Sequence, residues 1–464
     1  MIRYRSTRGQ APELSFEDVV LTGLAPDGGL YIPTELPTFS PAEIADMAQL
    51  SYPELAHKII APFTEGTLTG EELERLLDKS YSTFRHSAIA PLKQLGKGQW
   101  LMELFQGPTL AFKDFALQFL GNLIEFTLAK HNKNVTVLGA TSGDTGSAAI
   151  AGCRGSKHME IVILFPDGRV SDVQRKQMTT VEDENVHCVA LDGNFDDCQR
   201  IVKTLFVDMD FKEKHPLVAV NSINWCRILA QVVYYFHAAL SLGSPAVAPS
   251  FSVPTGNFGD IYAGYLAKKM GLPMGDLVIA SNRNDILTRC FETGTYQMDG
   301  VSPSHSPSMD IEISSNFERL LYNLYEGDAE AVRDHMTTLK ESGSFTLSQG
   351  AHAALKAEFA AYKVDDDETL RVIKDVYDKT GELLDPHTAV GYQAAAEHGS
   401  VKPAATPMIT LATAHPAKFP AAVKQAVGVE PALPHHMADL FDKPERMSRE
   451  PNDPEAIKTM ISNL

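Results

Sequence analysis

The chain has 464 residues, 44% hydrophobic and 22% charged, which are ordinary proportions for a soluble globular protein and too many residues for one simple core. Its 41 Lys and Arg against 59 Asp and Glu leave a formal charge of −18. That balance argues against a nucleic-acid surface or an anionic membrane face, but not against phosphate-bearing small molecules, which answer to local groups.

The charged start MIRYRSTRGQ lacks the apolar stretch of a signal peptide, and no run approaches the ~18 apolar residues of a membrane span. Cys153, Cys188, Cys198, Cys226 and Cys290 are scattered, odd in number and without CxxC spacing. Free thiols in a reducing cytosol are the expectation, with no disulfide and no metal. Residues 23–33, GLAPDGGLYIP, read as a turn-rich loop entering a short strand. From Pro41 to about Leu92, PAEIADMAQL and GEELERLLDKSYSTF repeat at about 3.6 residues and predict helices.

Residues 107–121, GPTLAFKDFALQFLG, are the stretch the rest of the chain serves. Phe112, Phe115, Ala116, Phe119, Leu120 and Leu123 follow the spacing of a helix buried along one face, with Thr109 placed to cap it. Lys113 then stands in the first turn among aromatics, beside Asp114. An apolar pocket disfavours the ammonium form and frees the amine as nucleophile and base.

From Asn134 the rhythm is strand, turn, helix: VTVLGA, MEIVILF, VHCVAL, LVAV, FSVPTG, LVIAS and a returning MITLATA read as strands. Such alternation predicts an α/β fold, parallel or mixed sheets flanked by helices, with ligands at the strands' carboxyl ends. Residues 328–398 read as helical, and the last ~35 residues as a Pro-rich acidic tail lying on the surface.

Four turns are rich in small and polar residues. In 140–148, ATSGDTGSA, hydroxyls of Thr141, Ser142 and Thr145 and free amides open a helix whose N-terminus favours an anion; no GK[ST] ending makes it a Walker loop. In 221–227, NSINWCR, Arg227 near a strand end suits bidentate phosphate recognition, worth roughly 1.5–3 kcal/mol. In 254–260, PTGNFGD, glycines around Asn257 let backbone approach an oxyanion at a helix start. In 411–419, LATAHPAKF, Thr413 ends a strand, and His415 reads either as a cap or as a site residue.

These stretches in this order, with YRSTRG, SMDIEISSNFERL and LDPHTAVGY, resemble the threonine synthases over nearly the whole chain; GPTLAFKDF and TAHPAKF are the most specific. The resemblance implies a pyridoxal-phosphate enzyme of the tryptophan-synthase-β-like fold (fold type II). It divides the chain into an N-terminal domain at 1–95, a catalytic core at 96–325, a helical subdomain at 326–402, and a returning strand with tail at 403–464.

By that resemblance Lys113 carries pyridoxal 5'-phosphate as a Schiff base. Gly256, Asn257, Phe258, Gly259 and Asp260 hold the cofactor phosphate, and Thr413 faces the ring nitrogen. Thr141, Ser142, Asp144 and Thr145 receive the substrate carboxylate and face the cofactor's phenolic oxygen, while Asn221 and Arg227 contact the substrate phosphate. An ionised Asp144 cannot donate to a phenolic oxygen, so it is either protonated or turned elsewhere.

The implied reaction converts O-phospho-L-homoserine and water to L-threonine and phosphate, in a cytoplasmic monomer or homodimer that closes over its substrate. The competing readings are a phospho-lyase releasing 2-oxobutyrate and a non-catalytic binding protein that kept the fold. A β-replacing enzyme fits less well, because Arg227 points to a phosphorylated substrate.

Overall fold

Two largely parallel sheets carry the chain, and their strands are the short apolar runs read from the sequence. The computed structural model describes residues 1–402 and 406–464. Among these, a six-stranded sheet runs in the order Phe359–Lys363, Leu277–Ser281, Ser250–Pro254, Met408–Ala412, Gln99–Glu103 and Leu92–Gly96, parallel except for the last pair. An all-parallel five-stranded sheet runs Ser448–Glu450, Val186–Leu191, Met159–Pro166, Val135–Ala140 and Leu217–Val218. Helices cover both faces, which is why central strands such as MEIVILFP are apolar almost throughout instead of alternating.

The helix Lys113–His131 is buried around most of its girth, where the sequence pattern predicted one face. It packs against the helices Asp144–Cys153, Trp225–Ser241 and Gly70–Tyr81 at once, so few of its sides meet water. Its crossing with Asp144–Cys153 depends on two glycines. A β-carbon on Gly121 would lie 2.1 Å from the Gly152 carbonyl oxygen, and one on Gly152 would lie 2.3 Å from that of Leu117. The missing side chains let the two backbones touch, and that contact brings both helix N-termini to one place.

The N-terminal residues share this core. Tyr4, Phe16, Tyr31, Phe63 and Tyr81 belong to the same apolar cluster as Phe115, Trp225 and Tyr234. Buried Arg319 ties the layers together. It donates to the carbonyls of Tyr31 (2.9 Å) and Ile223 (2.7 Å) and to the Asn316 amide oxygen, with its guanidinium 5.9 Å from the Trp225 ring.

Two expectations need correction. The 328–398 stretch is not wholly helical: Ser344–Thr346 pairs with Thr295–Gln297, and Phe359–Lys363 is an edge strand of the six-stranded sheet. The C-terminal residues are more than a surface tail. Ser448–Glu450 extends the five-stranded sheet, and Ile457 and Ile461 of the last helix are buried against Leu205 and Phe211. The expected boundary at 402/403 falls on residues 403–405, outside the described residues.

All five cysteines are free and buried. No helix among the described residues is long and apolar enough to cross a membrane.

Candidate active site

The turn before Lys113 is laced to the strand end that carries Thr413. The Phe112 amide donates to the Thr413 carbonyl (2.9 Å), and the His415 amide donates to the Leu110 carbonyl (3.0 Å). Leu110 adopts a left-handed conformation, φ 64°, to make this turn. Thr109 does not cap the helix; Phe112 holds that position with no side-chain bond. Thr109 instead donates through its amide (2.8 Å) and hydroxyl (2.6 Å) to the Asp114 carboxylate. Burial pushes that carboxyl up to about 6, against the pull of these two bonds. His415 is resolved as a cap, its Nδ1 accepting from the Ala417 amide (3.2 Å). Burial drives the His415 ring down to about 4.

Lys113 is buried at the helix mouth, its Nζ 3.4 Å from Asp144 Oδ2 and 4.9 Å from the Phe112 ring centroid. Burial lowers its proton affinity most, Asp144 opposes this, and Lys418 and Arg227 lower it further. Asp144 begins the second helix and is fully engaged. Its Oδ1 accepts from Gln174 Nε2 (2.8 Å) and pairs with Lys418 Nζ (3.1 Å); its Oδ2 faces Lys113 and accepts from Ser308 Oγ (3.2 Å). Burial alone would raise this carboxyl, but Lys418 and then Lys113, with the Gln174 bond, hold it far below the usual carboxylate range. Two ammonium groups and two hydrogen-bond donors around it favour the ionised form of Asp144.

Lys418 lies entirely inside the protein. Its ammonium donates to the Thr109 carbonyl (2.6 Å) and Gln177 Oε1 (2.9 Å) besides pairing with Asp144. Ser308 is held in turn by His387, whose Nε2 accepts from the Ser308 amide (3.1 Å); the ring proton is then on Nδ1, facing Asp385 Oδ1 at 2.8 Å.

The loop after Ser250–Pro254 forms the opposite wall. Phe258 takes φ 63°, and its buried ring packs 5.4 Å from Phe317. Among the described residues, the amides of Gly256, Asn257, Phe258, Gly259 and Asp260 donate to no protein acceptor, at the start of the helix Gly259–Lys269. A β-carbon on Gly256 would approach the Ser308 carbonyl to 3.0 Å, so Ser308 stands between this loop and Asp144. The loop is braced by Asn316, whose amide groups donate twice to the Asn257 carbonyl (3.0 Å each) and once to that of Ser222 (3.1 Å).

The Asp260 carboxyl turns away from the loop, accepting from Tyr234 (2.5 Å) and Tyr235 (3.0 Å) through Oδ1, while Oδ2 is buried without a partner. Burial pushes this carboxyl up to about 7. Arg227 sits in the first turn of Trp225–Ser241 and not at a strand end; Asn224 caps that helix. Only 3% of Arg227 is exposed, and Nε and Nη1 are buried without partners. Burial lowers the guanidinium to about 10.

Lys113, Asp144, Arg227, Thr413 and the 256–260 loop thus lie together around a candidate cleft: Lys113 pairs with Asp144, its charge couples to Arg227 and Asp260, and its turn bonds to Thr413. Thr141 is buried, with Oγ1 accepting from the amides of Gly143 and Gly146 (2.9 Å each), so its oxygen shapes the turn. Thr145 is half-buried, while Ser142 and Asn221 are exposed on loops. Sequence reasoning missed Lys418, Ser308, Gln174 and His387. Three of these lie in stretches that carried the resemblance, TAHPAKF, SMDIEISSNFERL and LDPHTAVGY, where no partner for them was visible.

Known proteins match this chain over nearly its whole length. Family models described as threonine synthase N terminus, pyridoxal-phosphate dependent enzyme, and threonine synthase C-terminal match residues 3–81, 84–357 and 388–461. A Pseudomonas aeruginosa threonine synthase is 52% identical over 99% of this chain and 98% of its own length. The crystal structure of threonine synthase with bound pyridoxal phosphate from Brucella melitensis superposes with a TM-score of 0.97 at 50% identity, covering 100% of this chain and 99% of that one. The yeast threonine synthase structure gives 0.94 at 42% identity, covering 99% and 98%. With a buried lysine at a helix mouth, a run of free amides opposite it, and this likeness along its whole length, the chain belongs to the threonine synthase family of pyridoxal-phosphate-dependent enzymes.

Proposed function

We propose that the protein converts O-phospho-L-homoserine and water to L-threonine and phosphate, with pyridoxal 5'-phosphate bound to Lys113. The observation that carries this reading is the buried guanidinium of Arg227, two of its donors unpartnered, whose charge is felt at the Lys113 amine. A reactive amine beside an unsatisfied anion receptor fits an amino-acid substrate that bears a phosphate.

The residues present fit the cofactor. Five successive free amides at a helix start suit its phosphate through the backbone of 256–260, with Asp260 beneath the loop as a support. Thr413, at the strand end laced to the Lys113 turn, would offer its hydroxyl to the ring nitrogen. When bound, the cofactor supplies an electron-withdrawing ring that stabilises negative charge at the substrate carbon.

The chain's own groups do the rest. Arg227 binds the substrate phosphate and stays with it as it leaves Cγ, while exposed Asn221 adds a contact from the rim. The free amides of Ser142, Asp144 and Thr145, at the start of a ten-residue helix, receive the substrate carboxylate. The Lys113 amine removes the Cα proton, assists at Cβ and returns a proton after water has added there. Ionised Asp144, committed to Lys418, Gln174 and Ser308, orients Lys113 and does not serve as a proton donor. On this reading the chain works as a monomer or homodimer in the cytoplasm.

The test is product analysis after mixing purified protein, pyridoxal phosphate and O-phospho-L-homoserine. Equal amounts of threonine and phosphate are expected. Phosphate with 2-oxobutyrate would make the protein a phospho-lyase, and no visible cofactor band would make it a binding protein.

A further inference from the structure

Two lysine ammonium groups meet one carboxylate inside this protein, and only one of them has chemistry to perform. Lys418 is fully buried and points both hydrogen bonds and its ion pair at fixed acceptors, with Asp144 Oδ1 at 3.1 Å. Lys113 lies on the other carboxylate oxygen at 3.4 Å and has no second hydrogen-bond acceptor among the described residues. The arrangement is asymmetric: one carboxylate oxygen pairs with a lysine that has two further acceptors, the other with a lysine that has none among the described residues.

We propose that Lys418 is a positioning residue for the Lys113 amine: by pairing with Asp144 it cancels the carboxylate's charge and leaves the amine free of its proton when an aldehyde or substrate arrives. The proposal rests on the function above and deepens it. An amine next to an uncompensated buried carboxylate is held as ammonium, and an ammonium is neither nucleophile nor base. Asp144 has a reason to be retained beside Lys113, since it orients the amine at the helix mouth. Lys418 removes the cost of having it there.

Other charges reach the pair from several elements. Arg227 faces Lys113 from the Trp225–Ser241 helix, and the Lys113 charge reaches Asp260 on Gly259–Lys269. His387, a titratable ring that is neutral while it accepts from Ser308, lies on Pro386–Val401, and Lys418 also acts on Asp114. Arg227 works in the same direction as Lys418 on the amine, whereas among the described residues Lys418 is the one cation besides Lys113 in ion-pair contact with Asp144.

The experiment follows capture of pyridoxal phosphate by the full-length chain after hydroxylamine treatment, reading the visible band against pH. In capture the amine condenses with the aldehyde and releases water, so the pH at half-maximal rate reports the free amine. Lys113→Ala, giving no band, identifies the lysine responsible. Lys418→Met is expected to raise the midpoint by about one pH unit or more, roughly a tenfold slower capture below it. Asp144→Asn, which leaves Lys418 uncompensated, is expected to lower the midpoint. The double variant is expected to return toward wild type, which a packing role for Lys418 would not produce.

Single variants that leave the midpoint within a few tenths of a unit, or move it in the same direction, would overturn the proposal. Where K418M does not fold, the double variant, which leaves neither charge unpaired, is read against D144N: a midpoint that stays at the D144N value overturns the proposal. A wild-type chain that captures no cofactor would remove the function above along with this proposal. Unshifted variants that still capture it leave that function standing.

Discussion

On the Asp144 side of the cleft both carboxylate oxygens have partners within 3.4 Å, and two of those partners are themselves held: Lys418 by Thr109 and Gln177, Ser308 by His387. On the Arg227 side the guanidinium has two buried nitrogens with nothing to bond, and five loop amides face no protein acceptor among the described residues. The same chain satisfies one wall and leaves the other open. A buried polar group without a partner is expensive, on the order of 1–3 kcal/mol for each. Its persistence marks where a ligand completes the structure, while the satisfied wall marks where geometry must not change.

The largest expected effect comes from the residue that joins the two walls. Lys113→Ala should cut threonine formation by at least ~10²–10⁴-fold, with the far-ultraviolet circular dichroism unchanged. Residual turnover near wild type in a steady-state assay would detach the chemistry from this lysine.

Next is Asp260, the support beneath the open wall. Its folded value of about 7 lies above the ordinary 3.8, so its contribution to stability is present at low pH and is lost as pH rises through about 7. In chain freed of cofactor, Asp260→Asn should therefore shrink the stability difference between pH 5 and pH 8 by up to about 2.5 kcal/mol, the part of the loss that falls between pH 5 and about 7. Denaturant midpoints at both pH values measure this. An identical pH dependence in variant and wild type would mean that the carboxyl is not strained there.

Arg227→Leu probes the open wall itself, and its two readouts should diverge. Substrate KM should rise roughly 10–150-fold, the equivalent of 1.5–3 kcal/mol for a lost charge-assisted bond. The melting temperature without ligand should hold or increase, because an unpaired buried charge is replaced by an apolar side chain. A clear drop in melting temperature would show that Arg227 already serves the folded chain and would weaken the contrast between the walls.

Much of the fold was legible because its strands are apolar runs of five to eight residues between glycine turns, as VTVLGA and MEIVILFP show. The strand FAAYK was not. It continues an alanine-rich helical pattern, and only pairing with Leu277–Ser281 makes it extended. Ser448–Glu450 is three residues of polar sequence, with nothing local to declare a strand. The Asn224 cap that places Arg227 on a helix was present in the letters but was read as part of a strand-end turn.

In the site, Lys113 and the glycine loop were visible because each depends on local sequence. Lys418 and Ser308 were not, because their meaning lies in pairings with Asp144 across more than 150 residues, to which no spacing rule applies. Thr109 shows the same limit at short range. A threonine before a helix reads as a cap that accepts from a helix amide, but here its hydroxyl donates to buried Asp114.

The five buried cysteines have a practical consequence. Burial pushes the thiols of Cys153, Cys188, Cys198 and Cys290 up to about 12, and that of Cys226 higher still. Thiolate is the reactive form, so the native chain should be nearly silent toward maleimides and mild oxidants. A single cysteine introduced at exposed Ser142 or Asn221 would then be the one site to take a fluorophore. The wild-type background becomes a ready-made blank for watching the rim of the cleft during turnover.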